Sequence, residues 1–61
     1  MNIEQFCQEI GGDNFQIQYK LLEETPEFKL YYLYEFLFEQ ILLHHLEKNE
    51  FFCLEVQMIQ H

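Results

Sequence analysis

The sequence predicts a small α+β domain in which a short helix, a strand, a long central helix and a second strand follow one another. Three observations predict this order. The apolar period changes from 3.6 to 2 after Gly11-Gly12, the motif Thr25-Pro26-Glu27 is typical of a helix start, and the segment 30–46 is apolar almost all round a helical wheel. With 61 residues, we expect one domain over residues 1–61. Because two strands alone make a marginal sheet, we expect dimerisation to complete it.

The first helix is predicted between an N-terminal cap and a glycine stop. Asn2 can cap it, and Gln5 stands three residues later, where its side chain completes a capping box. Apolar side chains recur on one helical face, at Ile3, Phe6, Cys7 and Ile10. Gly11 and Gly12 end the helix, because glycine adopts the left-handed C-terminal conformation at no steric cost.

A half-buried strand is predicted over residues 15–22, where apolar and polar residues alternate. The apolar face consists of Phe15, Ile17, Tyr19 and Leu21, and the polar face of Gln16, Gln18 and Lys20. A second strand is predicted over residues 51–59, with Phe52, Leu54, Val56 and Met58 on one face. Short connections on both sides of an intervening helix make two neighbouring strands parallel, joined by a right-handed crossover.

The long central helix is predicted over residues 26–48. Thr25 is assigned as its cap and Pro26 as its first residue, while His44, His45 and Lys48 suit its negative C-terminal end. Asn49 supplies a left-handed exit. Since this helix has almost no polar face, we expect it to be buried on more than one side.

The aromatic segment also permits a different assignment. Residues 28–36 have high β propensity and would form a hairpin with the first strand around residues 24–27. The alternative fold is therefore α-β-β-α-β with a hairpin.

Composition restricts the class of protein. Eleven acidic residues against three lysines give a net charge of −8, which argues against direct binding of nucleic acid. Disorder is excluded as well, because 49% of the residues are hydrophobic and 18% aromatic. The sequence therefore describes a folded, acidic and hydrophobic protein.

The residues available for catalysis are few, and we expect a protein that is not an enzyme. The chain has no Ser and no Arg, and its single Thr is assigned to a cap. Cys7 and Cys53 alternate with apolar residues in an acidic chain, which favours unreactive thiols. Adjacent residues His44 and His45 diverge by about 100° on a helix and cannot share one metal ion. We expect no catalytic residue, no metal site and no cofactor.

The expected location is the cytoplasm. The N-terminus lacks the basic start of an export signal, and polar residues interrupt the segment 30–46, so no membrane span is predicted. Two cysteines without such a signal are expected to be reduced thiols.

Protein contact is the predicted activity, because aromatic side chains are favoured anchors of interfaces and carboxylates attract basic partners. We expect a homodimer that also binds a basic protein partner. The candidate partner-binding residues are Tyr31, Tyr32, Tyr34, Phe36 and Phe38 for apolar contact, and Glu23, Glu24, Glu27, Glu35 and Glu39 for charge.

The hypothesis is a small acidic interaction module that modulates or inhibits a basic partner, such as a nucleic-acid-binding enzyme or regulator, in its sharpest form by mimicking nucleic acid. The alternative is a structural or assembly subunit of a larger complex. A third possibility is a binder of a small ligand or a metal.

Overall fold

The structure, a computed structural model, describes residues 1–12, 17–36 and 38–54. It contains helix α1 (Ile3–Gly11) followed by the strands β1 (Gln18–Glu24), β2 (Phe28–Glu35), β3 (Phe38–His45) and β4 (Glu50–Leu54). The strands form an antiparallel sheet in the order β1-β2-β3-β4. The chain is an α+β protein, as the sequence predicts, although most of its described residues lie in strands.

Helix α1 begins and ends where the sequence predicts. The Gln5 backbone N–H donates to Asn2 Oδ1 at 2.8 Å, and the Asn2 N–H donates to Gln5 Oε1 at 3.0 Å, which completes the capping box. Gly12 follows with φ 67° and ψ −156°, and its N–H donates to the Gln8 carbonyl at 2.9 Å.

In the residues that the structure describes, no helix is long and apolar enough to cross a membrane.

The predicted long helix over residues 26–48 is wrong, because β2 and β3 occupy most of this segment. Thr25 caps a hairpin turn instead of a helix. Its Oγ1 accepts hydrogen bonds from the backbone N–H groups of Glu27 at 3.2 Å and Phe28 at 3.0 Å. The predicted helix cap at Thr25 is therefore wrong, because a threonine hydroxyl stabilises a turn and a helix start through the same kind of hydrogen bond.

The alternative hairpin assignment is confirmed for β1 and β2, but β3 replaces the helix that was expected to follow. The parallel arrangement is wrong as well, since each strand pairs antiparallel with the next strand along the chain. The left-handed conformation of Asn49 is confirmed at φ 52°, in the turn before β4.

The two predicted strands are confirmed in part. β1 extends to Glu24 and has an irregularity between Leu21 and Glu23, where Leu22 is the extra residue. β4 covers the beginning of the predicted strand 51–59, and residues 55–59 lie outside the described ranges, as do residues 15 and 16. The sheet therefore ends on two strands of different character, a bulged β1 and a short β4.

The hydrophobic core lies between α1 and one face of the sheet, which we call the inner face. Leu33 and Leu42 are fully buried there, with 0% of their surface exposed. The remaining buried residues of the core cluster are Cys7, Ile17 and Tyr31. The ring of Phe6 stacks on that of Phe51 at 4.8 Å and joins the helix to β4. The opposite side of the sheet is called the outer face.

Replacement of Gly12 by Ala should destabilise the protein. The φ and ψ of Gly12 lie in a region that is almost restricted to glycine, so the substitution should lower the free energy of unfolding by about 1–3 kcal/mol. A Cβ at this position meets no atom within 4 Å, so the cost is in the backbone alone. Urea unfolding measures it. Gly11→Ala is the control, since Gly11 is helical and should gain stability; equal effects of both variants would contradict this account.

Candidate functional site

Alternation along β2 separates its aromatic side chains into two sets. Tyr31 and Leu33 are buried under α1, with 7% and 0% of their surface exposed. Tyr32 and Tyr34 point to the outer face, where their rings stack with centroids 5.3 Å apart. Because successive side chains of a strand point to opposite faces, an uninterrupted apolar sequence supplies both faces with apolar residues.

The outer face carries eight apolar side chains in a continuous array across β2, β3 and β4. Register pairs Tyr32 with Ile41 and Leu30 with Leu43 across the two central strands. It then pairs Ile41 with Leu54 and Leu43 with Phe52 across β3 and β4. The complete set, which we call the apolar array, is Phe28, Leu30, Tyr32, Tyr34, Ile41, Leu43, Phe52 and Leu54.

Polar side chains border this array on the β1 side and at the ends of β3 and β4. On the β1 side, Gln18 pairs with Tyr34, Lys20 with Tyr32 and Glu23 with Leu30. At the strand ends stand Glu39, His45 and Glu50. All six polar residues of the outer face, namely Gln18, Lys20, Glu23, Glu39, His45 and Glu50, therefore lie on its perimeter, and we call them the polar rim.

The apolar array is partly open to solvent. Phe52 is 45% exposed, and Tyr34 and Leu54 are each 39% exposed. Within residues 1–12, 17–36 and 38–54, all fully buried residues belong to the core beneath α1, and none to the outer face. An apolar centre inside a polar rim is the usual anatomy of a protein interface.

Tyr32 is held by the polar rim. Its hydroxyl donates to Glu39 Oε1 at 3.0 Å. This hydrogen bond, followed by desolvation and by the charge of Glu39, raises the pKa of Tyr32 above its ordinary value. The bond fixes the orientation of both side chains at one edge of the array, so this part of the surface is preorganised.

The predicted contact residues do not form one surface. Tyr32, Tyr34, Glu23 and Glu39 lie on the outer face. On the inner side of the sheet lie Tyr31, Phe38, Glu24 and Glu35. The other two are in connections: Glu27 in the turn after β1, and Phe36, 89% exposed, after β2.

Three predicted contact residues on the inner side already make contacts within the chain. Tyr31 is buried in the core, because β alternation turns it under α1, so its side chain is not on the surface of the single chain. Phe38 packs against the same core cluster. Glu24 lies 3.8 Å from Lys29 Nζ in a solvent-exposed ion pair.

Sequence reasoning missed Phe28, Leu30, Ile41, Leu43, Phe52 and Leu54 as surface residues. On the predicted helix, at about 100° per residue, Leu43 lies on the opposite side from Leu30 and Ile41, so the three were not grouped. The signal that could have grouped them was a period of 2, which selects Leu30, Tyr32 and Tyr34 together along one strand. This period was obscured because the intervening residues are also apolar.

The cysteines and His44, which are the groups considered for catalysis or metal binding, lie apart from the apolar array. Cys7 is buried, and burial raises the pKa of its thiol, the opposite of the shift that activates a nucleophile. Cys53 is an exposed free thiol. The His44 ring stacks on Phe51 at 4.1 Å, and its Nε2 accepts a hydrogen bond from the Asn49 side-chain amide N–H at 2.8 Å.

No protein-family model, curated protein or solved structure matches the chain. The functional argument therefore depends on the geometry of the sheet and on its charges.

Replacement of Glu39 by Gln should lower the pKa of Tyr32 toward its ordinary value, because the charge that opposes phenol ionisation is removed. The raised pKa means that this hydrogen bond stabilises the fold while the phenol is protonated, and that the contribution is lost as the pH rises through the pKa of the folded state. NMR titration of the tyrosine Cζ signals measures the shift, with Tyr32→Phe to assign it. Tyr19, whose pKa is raised by desolvation and by Glu4, is the internal control. An unchanged Tyr32 titration would contradict the assigned cause.

Proposed function

We propose that the chain is a small acidic protein-interaction module that forms a homodimer through its outer face and binds a basic protein partner through its carboxylates. The observation that supports the proposal best is the apolar array with the polar rim on its β1 side and at the ends of β3 and β4. Such an arrangement excludes water from a hydrophobic centre when another protein covers it. The module acts by contact and has no catalytic role.

The free energy available from the array is comparable to the cost of association. Tyr34, Phe52 and Leu54 are 39–45% exposed, and covering each contributes about 1 kcal/mol. The other five members are more buried and contribute about 0.5 kcal/mol each. Two copies then contribute about 11 kcal/mol, which lies within the association cost of about 4–15 kcal/mol. The small core beneath α1 makes this gain important for the stability of the fold.

The net charge of the chain supports the proposed binding of a basic partner. The net charge of −8 attracts a basic protein and increases the rate of encounter. Glu23, Glu24, Glu27 and Glu39 are exposed, and Glu35 is partly exposed. In the sharpest form of the proposal, these carboxylates occupy the phosphate-binding surface of a nucleic-acid-binding enzyme or regulator and inhibit it.

We also propose a cytoplasmic location, because Cys7 and Cys53 are free thiols and free thiols are usual in a reducing compartment.

The alternative is a structural or assembly subunit, which the same apolar array favours. In that case, the outer face binds within a larger complex and the carboxylates contribute solubility alone. The two functions differ in how binding to a partner depends on charge.

Phe52→Glu should abolish the homodimer. It places a carboxylate in the apolar array of each copy, and we expect the dissociation constant to rise by about 100-fold or more. Sedimentation equilibrium over a concentration series measures this change. The matched control is Leu21→Glu, because Leu21 is equally exposed at 44% against 45%, also lies on an edge strand, and points to the inner side. A wild-type mass of one chain at about 100 μM, a concentration at which an association free energy above about 5.5 kcal/mol gives mostly dimer, would overturn the proposal.

Binding to the basic partner should depend on the predicted carboxylates that lie off the outer face. A variant with Glu24, Glu27 and Glu35 replaced by Gln leaves Glu23 and Glu39 of the polar rim unchanged. It should retain the dimer and lose most of the partner captured by the wild type from native lysate. Raising the salt to about 0.5 M should release the partner and leave the apolar dimer intact. Capture that resists both changes would contradict a charge-based contact and favour the assembly subunit.

A further inference from the structure

We propose that the second copy binds the outer face about a two-fold axis that lies in the interface and runs across the strands. This inference rests on the proposed homodimer and adds its geometry. A two-fold interface must be self-complementary, because each residue contacts its counterpart reciprocally. The register of the sheet allows that requirement to be examined residue by residue.

The proposed axis places each strand over the same strand of the second copy, in the reverse direction. The centre of the outer face lies between Tyr32 and Leu30 on β2 and between Ile41 and Leu43 on β3. The rotation therefore places each residue opposite a residue of the same strand in the second copy. The two residues lie at equal distances from the centre, in opposite directions along the strand. Two sheets in this arrangement pack face to face about 10 Å apart, with their strands within about 30° of each other.

The apolar residues match under this rotation. Tyr32 faces Leu30 of the second copy, and Ile41 faces Leu43. Towards the strand ends, Tyr34 faces Phe28, and on the edge strand Phe52 faces Leu54. All eight members of the apolar array therefore meet apolar partners, and each contact occurs twice.

The charged residues of the rim match as well. Lys20 and Glu23 flank the centre of β1, so Lys20 faces Glu23 of the second copy. Among the residues that the structure describes, neither side chain forms an ion pair within its own chain. In the dimer, the Lys20 ammonium group and the Glu23 carboxylate therefore each gain an opposite charge from the second copy.

Glu39 and His45 form the second rim pair, since they stand at opposite ends of β3. His45 Nδ1 accepts a hydrogen bond from the Lys48 backbone N–H at 3.4 Å, so the proton of the neutral ring is on Nε2. That N–H can donate to Glu39 of the second copy. Glu39 uses Oε1 to accept from Tyr32 and has a second oxygen to accept this bond.

The other in-plane two-fold axis, which runs along the strands, fits less well. It places β1 over β4 and β2 over β3 of the second copy. Lys20 then lies over Leu54, Glu23 over Phe52 and Glu39 over Tyr34. Charged groups would lose water without gaining an opposite charge, which is unfavourable.

The flat area of the outer face is close to that of a small dimer interface. The 28 residues of the four strands, each about 3.3 Å along the strand and about 4.8 Å across it, present about 450 Å² per copy. Two copies cover about 900 Å² before the relief of the side chains is counted, somewhat below the lower end of stable interfaces at about 1,200 Å². We therefore expect a dimer of moderate affinity.

Charge reversal tests the proposed axis. Lys20→Glu alone and Glu23→Lys alone should each weaken their homodimers by about tenfold, because each creates two like-charge contacts. A mixture of the two variants should form a heterodimer in preference to either homodimer, since both cross-contacts are then attractive. Native mass spectrometry of one isotope-labelled and one unlabelled variant measures the preference. The control mixture, labelled and unlabelled wild type, should give the statistical ratio of 1:2:1.

The outcomes separate the two levels of the proposal. Preferential heterodimers support the axis across the strands. A statistical mixture, with the wild type dimeric, overturns this axis and leaves the homodimer standing. A monomeric wild type overturns the homodimer itself.

A measurement on the wild type avoids dependence on the folding of the variants. Tyr34 and Phe28 are six residues apart on β2, about 20 Å along one strand. An isotope-filtered NOE between their rings can therefore arise only between copies. We expect this NOE, whereas its absence from a dimer would overturn the proposed axis.

Discussion

The coverage of one face of the sheet by α1 is the constraint on which the rest of this structure depends. A nine-residue helix spans about 14 Å and can cover one face of a four-stranded sheet but not both. Leu33 and Leu42 are fully buried beneath it, and Tyr31 nearly so, while their neighbours Tyr32 and Leu43 point the other way. The fold therefore has a small core and a second apolar surface that its described helix does not cover.

Charge distribution follows the same constraint. The outer face confines its polar residues to the perimeter, and the exposed carboxylates keep a protein with such a surface in solution. A net charge of −8 opposes association of two copies, so any dimer must gain more from the apolar array than it loses by repulsion. The same charge favours the basic partner that we propose.

The ends of α1, the first strand and the left-handed Asn49 could be predicted because each depends on local chemistry. The central helix could not be distinguished from two strands, because a segment that is apolar on both faces of a sheet is also apolar all round a helix. Tyr31 and Tyr32 illustrate the difficulty: both are apolar, yet one is buried and the other lies on the outer face. Four residues of the candidate contact site, Tyr32, Tyr34, Glu23 and Glu39, lie on the outer face. Their neighbours Leu30, Ile41 and Leu43 could not be predicted, because grouping them requires the sheet register.

The most direct test of the central claim, that the outer face is the contact surface, is a dilution series followed by methyl NMR of Ile and Leu side chains. The account predicts that Leu30, Ile41, Leu43 and Leu54 change chemical shift with concentration. The methyl groups of Leu33 and Leu42, which are shielded beneath α1, should change little. Concentration-dependent shifts confined to α1 or to the inner face would contradict the account, as would the absence of any shift together with the mass of a single chain.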